Sequence, residues 1–255
     1  MSLRQLFPVP ADQPDLAGLY AYPDGQWLRA NMVSTADGAA SLNGVTAGIS
    51  SDTDRRVFAL LRTLSDVILV GAGTAREERY KPARTRELWR DLRAGRTPTP
   101  PIAVVTRRLD LDPDSPLLTG APPHARTIVV TTARAPRKIR AELSRHADVI
   151  IAGEKTVDFR AAVGALAGRG HRRLLAEGGP YLLAQLVEAG LMDELCLTYP
   201  LMIVRGGRGS AILTTPSRFL TEVDPGLYEP AVLEADLDLA TSRRPPRPGS
   251  GGRTA

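Results

Sequence analysis

The sequence predicts an α/β protein with a mainly parallel central sheet and helices on both of its faces. Short apolar runs rich in Val and Ile recur along the chain, and segments with helical periodicity separate them. Strands that are apolar throughout are typical of parallel sheets, which are buried on both faces. Their regular alternation with helices favours a single sheet of this kind. The closing strands are expected to form an antiparallel C-terminal edge.

Each element has a local signature. Residues 27–33 are the first predicted strand, and residues 51–64 are the first predicted helix, with Ser51 as its cap and Asp54 at the positive end of its dipole. Residues 66–70 form a short β-branched run that is typical of a fully buried strand. Further strands are predicted over residues 102–106, 127–131, 149–152, 173–176, 195–199 and 231–239, and further helices over residues 137–145, 159–167 and 181–189.

No linker of the kind that separates domains interrupts residues 25–240, which are therefore predicted to form a single domain. Residues 1–24 are expected to be an extended segment in front of it. Inside the domain, residues 87–101 read as a polar insertion and residues 110–125 as a proline-rich surface loop. Residues 241–255 are rich in Pro, Gly and Arg, and this composition predicts a disordered tail.

The charge of the chain does not predict a nucleic-acid partner. The formal net charge is +5 and the sequence pI is about 9.7. Four arginines and no acid lie in residues 241–255, so the rest of the chain carries only +1. A nucleic-acid interface needs a basic stripe on the folded surface, and a basic tail does not supply one.

Composition also argues against a membrane, a disulfide and a metal site. No apolar stretch approaches the ~20 residues of a membrane helix, and the N-terminus lacks the pattern of a secretory signal. Cys196 is the only cysteine, so no intramolecular disulfide can form and a cytoplasmic location is expected. The three histidines, His124, His146 and His171, have no metal-ligand spacing.

Glycines follow two of the predicted strands, at the place where ligands bind in open parallel sheets. Gly-Ala-Gly-Thr occupies residues 71–74, and Glu-Gly-Gly-Pro-Tyr at residues 177–181 joins a strand directly to a helix. The free N–H groups of a helix's first turn attract phosphate, and glycine lets the phosphate approach the backbone. Tight turns would explain both segments equally well, and neither segment completes the six-position dinucleotide fingerprint.

Polar residues after other strands predict a further phosphate contact. Thr106, Arg107 and Arg108 follow one strand, Arg134 follows the next, and Gly153 follows a third. Arginines in this position suit the 2′-phosphate that distinguishes NADP from NAD. The alternative is that they are ordinary solvated side chains, because this chain uses arginine almost everywhere.

Taken together, these segments resemble the reductase (RibD C-terminal) domain of riboflavin biosynthesis, which has the dihydrofolate-reductase-like fold. The resemblance spans residues 27–239. Its markers are STADG at residues 34–38, LRTLSDVILVGAGT at 61–74, EGG at 177–179 and GLMDELCLTYPLMIVRGG at 190–207.

The resemblance implies that NADPH lies across the strand ends. The cofactor residues it implies are Val33, Ser34, Gly71, Ala72, Gly73, Thr74, Glu78, Thr106, Arg107, Gly153, Glu177, Gly178, Gly179, Pro180, Tyr181 and Leu182. Typical members carry Asp-Asp-Pro after the Gly-x-Gly-Thr segment, where this chain has Glu-Glu-Arg-Tyr at residues 77–80. Glu78 is the candidate replacement for one of these acids.

The activity implied by the resemblance is hydride transfer from NADPH to a pyrimidine-linked sugar phosphate of the 5-amino-6-ribosylaminouracil type. Substrate contacts are expected from Thr46, Arg62 and the loop around Asp37. Asp37 is the first candidate for the proton donor, and a water is an equal one. A simple turn would also explain the Asp-Gly pair that Asp37 begins. Family members are commonly dimers, so a homodimer is expected.

Two alternatives use the same fold. A dihydrofolate or pterin reductase would bind the pterin ring through a carboxylate at the start of the first helix, and Asp54 lies near that place. Capping of the helix is an equally good explanation of Asp54. A non-catalytic NADP(H)-binding module would use the same glycines and reduce nothing.

Overall fold

The computed structural model describes residues 3–6, 9–35, 38–42, 45–200 and, for the backbone alone, 233–235. The strands are β1 Leu3–Gln5, β2 Ala11–Asp12, β3 Trp27–Val33, β4 Val67–Gly71, β5 Ile102–Val105, β6 Thr127–Thr131, β7 Ala147–Ile151, β8 Arg173–Ala176, β9 Glu194–Thr198 and β10 Leu233–Ala235. The α-helices are α1 Leu16–Leu19, α2 Asp52–Leu64, α3 Ala72–Glu77, α4 Pro116–Thr119, α5 Arg137–Leu143, α6 Phe159–Ala167 and α7 Pro180–Glu188. Short 3₁₀ helices occupy Thr46–Gly48, Glu87–Arg93 and Pro123–Ala125.

Seven strands form one parallel sheet in the order β7-β6-β5-β4-β8-β3-β9. The predicted α/β class with a mainly parallel sheet is therefore confirmed. The antiparallel pairing predicted for the C-terminal strand occurs in a separate small sheet, in which β10 and β2 flank β1. Only residues 233–235 of the strand predicted over 231–239 belong to the described part of the chain.

Both faces of the large sheet are covered. On one face, Leu28 and Ala30 of β3 belong to the same buried cluster as Leu166 of α6 and Leu186 of α7. On the other face, Ile68 and Val70 of β4 pack in a cluster with Leu61 of α2. Burial on both faces explains why the central strands read as apolar throughout.

The residues at 71–74 differ from the predicted loop. Gly71 ends β4, and its N–H donates to the carbonyl of Gly178 at 2.8 Å. The next residue begins α3, whose Ala72 and Ala75 are buried. Because two alanines can bury one face against the sheet, a short helix replaces the loop here. The segment predicted as extended, residues 1–24, contains β1, β2 and α1.

One charged pair is buried beside the sheet. Arg29 is 1% exposed, and its guanidinium lies 2.8 Å from the Glu194 carboxylate across the β3–β9 pair. The Tyr22 ring covers the guanidinium at 4.2 Å, and Cys196 lies close enough for its thiol to donate to Glu194 at 3.5 Å. Arg29, Glu194 and Cys196 therefore form a polar cluster along the paired strands β3 and β9.

Candidate active site at the carboxyl ends of the strands

The two glycine segments meet at the carboxyl ends of β4 and β8. Besides the bond between Gly71 and Gly178, the N–H of Glu177 donates to the carbonyl of Leu69 at 2.8 Å. A Cβ built on Gly179 would lie 2.5 Å from Oγ1 of Thr74. The backbone of one segment therefore lies directly against the other, and the two predicted phosphate segments form one site.

Glycine is required at 178 by the backbone itself. Gly178 has φ +79°, a conformation that side chains disfavour, and a Cβ there would lie 3.1 Å from Sδ of Met32. The peptide bond between Gly178 and Gly179 is cis. Substitution at either glycine would disturb the fold as well as any ligand, so neither position gives a clean test of cofactor binding.

Helix α7 begins at this junction with its first amides uncapped. Gly179 is the N-cap without a side-chain bond, and Pro180 is the first helical residue. In the described structure the N–H groups of Tyr181 and Leu182 have no hydrogen-bond acceptor. Two open amides at a helix N-terminus are suited to a phosphate group. The Tyr181 side chain beside them is 83% exposed.

Glu177 points away from that junction into a buried ion pair. Its carboxylate accepts from Nε and Nη2 of Arg62 at 2.7 and 2.6 Å, and from Oη of Tyr80 at 2.7 Å. The Glu177 side chain is 1% exposed and that of Arg62 is 19% exposed. The Phe58 ring lies under the Arg62 guanidinium at 4.3 Å.

This pairing sets the pKa values of Arg62 and Tyr80. Burial alone would lower the pKa of the Arg62 guanidinium, but the Glu177 carboxylate raises that pKa above its ordinary value. Burial and then the Glu177 charge raise the pKa of Tyr80 well above its ordinary value. The charge of Arg62 is thus neutralised inside the protein by Glu177. Its predicted contact with a substrate phosphate stays a prediction.

Asp54 lies at the opposite side of the site, at the carboxyl end of β9. The N–H of Asp54 donates to Oγ of Ser51 at 3.1 Å, which confirms the predicted cap of α2. Its carboxylate accepts from Oγ1 of Thr198 at 2.6 Å and from Oγ of Ser50. Asp54 is 8% exposed. A buried carboxylate held by two hydroxyls can orient the N–H groups of a heterocycle.

Thr198 was not predicted as a site residue. It is the last residue of β9 and pairs with Val33 in the parallel register, and its carbonyl accepts from the N–H of Ser34 at 3.0 Å. The rule that ligands bind beyond parallel strand ends applies to β9 as it does to the other strands. Applied to the strand predicted at 195–199, this rule would have found Thr198.

The turns around the site hold other residues that the sequence predicted for it. Ser34 is fully buried in the turn after β3. The N–H of Thr46 donates to the Glu78 carboxylate at 2.7 Å, so Glu78 holds the protein's own loop. The predicted contact of Glu78 with the cofactor stays a prediction. Asp37 lies outside the described residues.

The residues predicted for the adenosine end lie after β5 and β7. Oγ1 of Thr106 accepts from the N–H of Leu109 at 2.9 Å, which makes this hydroxyl part of a turn. Arg107 is exposed and forms no ion pair within the described part of the chain. Gly153 has φ +89°, and a Cβ there would collide with the carbonyl of Thr156. Arg108 beside Arg107 is also exposed and without an ion pair among the described residues, so two free cations lie at this end of the site.

The site fits a dinucleotide phosphate in two respects. The Glu177 carboxylate is neutralised and turned inward, so it does not repel an anion at the start of α7. A Cβ built on Gly73 would meet no heavy atom within 4 Å, so the space beside α3 is open. Within the ranges that the structure describes, no three His, Cys, Asp or Glu side chains gather into a metal group.

The sequence model of the RibD C-terminal domain matches residues 26–229. The chain belongs to the RibD C-terminal domain family. It is 33% identical over 194 residues to the 2,5-diamino-6-ribosylamino-4(3H)-pyrimidinone 5′-phosphate reductase of Archaeoglobus fulgidus, covering 71% of this chain and 85% of the relative. The reductase of the same name from Methanothermobacter thermautotrophicus is 32% identical over 192 residues, covering 72% and 81%.

A solved structure supports the same assignment. The pyrimidine reductase-like protein of Corynebacterium diphtheriae superposes with a TM-score of 0.68 at 28% identity, covering 76% of this chain and 81% of that one. The predicted resemblance is confirmed, and membership of this reductase family supports an oxidoreductase in riboflavin biosynthesis. Among the described residues, no helix has the length and apolarity to cross a membrane.

Proposed function

We propose that this RibD C-terminal domain protein is an NADPH-dependent reductase of a pyrimidine-linked ribosylamino phosphate. The observation that carries the proposal is the junction of Gly71, Thr74 and Gly179 at the head of the uncapped helix α7. The names of the archaeal relatives supply the substrate class. A homodimer also remains a prediction for this chain.

The cofactor residues have distinct tasks in this proposal. The amides of Tyr181 and Leu182 bind the diphosphate, and Arg107 binds the phosphate at the adenosine end. Val33 and Ser34 form the floor beneath the nicotinamide. NADPH supplies the hydride, and the protein supplies position and a site from which water is excluded.

The substrate lies between the nicotinamide position and Asp54. The Asp54 carboxylate, oriented by Thr198 and Ser50, accepts N–H bonds from the amino-substituted pyrimidine. The sugar reacts as its open-chain imine: the hydride adds to the imine carbon and one proton adds to the nitrogen, which yields the ribitylamino side chain. Asp37, or a water beside it, delivers that proton.

Reduction of a pterin is the second candidate, because a buried carboxylate at the start of α2 also suits a pterin ring. Oxidation of NADPH is followed by absorbance at about 340 nm. The assay is run with dihydrofolate and, separately, with the diaminopyrimidine ribosyl phosphate. The proposal requires faster turnover of the pyrimidine. Faster turnover of dihydrofolate would assign the protein to pterin reduction, and tight NADPH binding without consumption of either substrate would indicate a non-catalytic module.

A further inference from the structure

A second cleft lies at the opposite end of the sheet. It has a volume of about 460 Å³ and is formed where the chain enters β3, β4 and β8, together with the turn after the Glu87–Arg93 helix. Its wall carries Arg96, Arg172 and Arg173 against two acids, Asp24 and Asp66. A parallel strand of seven residues spans roughly 20 Å, so this cleft is separate from the candidate active site.

Asp66 is committed to the protein's own backbone. Its Oδ2 accepts from the N–H groups of Arg172 and Arg173 at 3.1 and 2.9 Å. Its Oδ1 lies 3.4 Å from the Arg96 guanidinium. Because both carboxylate oxygens are occupied in this way, Asp66 leaves the guanidinium groups of Arg172 and Arg173 to other partners.

Arg96 of the cleft and a further arginine, Arg93, hold the end of helix α2. Nη1 of Arg93 donates to the carbonyls of Thr63 and Ser65 at 2.8 and 2.7 Å, and Nη1 of Arg96 donates to that of Leu64 at 2.7 Å. Burial first, and then the charge of Arg96, lower the pKa of Arg93 to about 10, and the charge of Arg173 acts in the same direction. These arginines lie close enough to repel one another, so the cleft has a positive field.

Arg172 and Arg173 are the open donors of this cluster. In the part of the chain that the structure describes, neither side chain forms a hydrogen bond or an ion pair. A guanidinium has five N–H donors and matches the geometry of phosphate oxygens. The volume of the cleft lies in the range of small-molecule sites.

We propose that this amino-end cleft, lined by Arg96, Arg172 and Arg173, is a second binding site for a small phosphorylated molecule. Arg172 and Arg173 bind the phosphate oxygens directly, and Arg96, fixed against α2, supplies a static charge behind them. The ligand is of nucleotide size and carries a phosphomonoester or diphosphate group. The inference does not depend on the reaction proposed at the other end of the sheet.

The test uses inorganic pyrophosphate as the probe, with binding measured by calorimetry on the full chain. The double variant R172Q/R173Q is compared with the wild type and with R145Q, which removes an exposed arginine without a side-chain bond at another strand's amino end. We expect at least about tenfold weaker binding in the double variant and unchanged binding in R145Q, since charge-assisted hydrogen bonds are lost. The thermal unfolding midpoint without pyrophosphate verifies that the double variant is folded.

Three results would overturn the proposal. Equal pyrophosphate affinity in the wild type and R172Q/R173Q would show that the cleft does not bind the anion. An equal loss in R145Q would show a non-specific charge effect. Tighter binding of a short DNA duplex than of pyrophosphate, lost in the same double variant, would assign the arginines to nucleic acid. If the double variant fails to fold, R172Q alone, at the more exposed position, takes its place under the same criteria.

Discussion

At the scale of single residues, the site is organised by charges that neutralise one another inside the protein. Arg62 and Glu177 are separated by 115 positions in the sequence, yet they form a bidentate ion pair at 2.6 and 2.7 Å. A buried pair of this kind contributes little net stability while it is intact, but it is costly to break, because one charge then remains without a partner. Its value to the site is to keep Arg62 and Tyr80 in fixed positions beside α7.

We therefore expect Glu177→Gln to destabilise the protein by about 3 kcal/mol, since Arg62 would stay buried without its counter-charge. Urea unfolding measures the change. Glu154→Gln is the matched control: Glu154 faces Arg134 at 3.6 Å in an exposed pair, and its loss should cost no more than about 1 kcal/mol. Equal effects of the two substitutions would contradict the buried-pair interpretation.

Gly73 offers a cleaner probe of the cofactor than the glycines after β8. A Cβ at Gly73 meets no atom, so Gly73→Ala should keep or raise stability by up to about 1 kcal/mol in helix α3. The added methyl group enters the space proposed for the dinucleotide, so NADPH affinity should fall several-fold. Fluorescence titration with NADPH measures this affinity.

Gly164→Ala is the control for this substitution, because Gly164 lies in α6 and its Cβ position is also open. It should show the same stability change with unaltered NADPH binding. Undiminished NADPH binding in Gly73→Ala would move the cofactor away from α3.

At the scale of elements, β9 couples the first turn of α2 to the central sheet. Thr198 ends β9, pairs with Val33 of β3, and donates its hydroxyl to Asp54 of α2. This contact crosses 144 positions of sequence. The orientation of the Asp54 carboxylate is thus set by a strand that joins the sheet late in the chain.

Thr198→Val should lower stability by about 1–2 kcal/mol, because the buried Asp54 carboxylate loses one hydrogen-bond donor. With the pyrimidine substrate, the KM should rise about tenfold while NADPH affinity stays the same. Steady-state kinetics and urea unfolding test both parts. Thr198→Ser keeps the hydroxyl and should behave like the wild type; an impaired Ser variant would point to packing of the methyl group instead.

The Cys196 thiol, in the polar cluster along β3 and β9, is expected to react slowly at neutral to mildly basic pH. Burial, followed by the charge of Glu194, raises the pKa of the Cys196 thiol to about 12. A raised thiol pKa means that the neutral form persists up to that pH, so almost no thiolate exists at about pH 8. Modification by a disulfide reagent at this pH should be at least about a hundredfold slower for the folded than for the urea-unfolded protein. Equal rates would mean that Cys196 is open to solvent and ionised.

At the scale of the whole molecule, the parallel sheet separates two ends with different charge arrangements. The carboxyl end carries open amides, small residues and a neutralised carboxylate, whereas the amino end carries the arginine cleft. A ligand that binds the folded protein alone stabilises the entire domain.

NADPH should therefore raise the unfolding temperature in proportion to the logarithm of its concentration, and NADH should raise it less. Arg107→Gln should reduce the difference between the two cofactors, since the 2′-phosphate loses its cation, with a roughly tenfold loss of NADPH preference. Differential scanning fluorimetry measures the shifts, with Arg145→Gln as the exposed control. An unchanged preference in Arg107→Gln would place the 2′-phosphate elsewhere.

The sequence by itself determined what depends on neighbouring residues. The apolar runs of β4, β5 and β6 show that those strands are buried, Ser51 caps α2, and the Gly-Gly-Pro segment at 178–180 begins α7. Only the tertiary structure decided that Glu177 pairs with Arg62, that Thr198 holds Asp54, and that Arg96, Arg172 and Arg173 share one cleft. The physical reason is that strand propensity, capping and turn chemistry act over a few residues, whereas partners far apart in the sequence meet only when the strand order of the sheet is fixed.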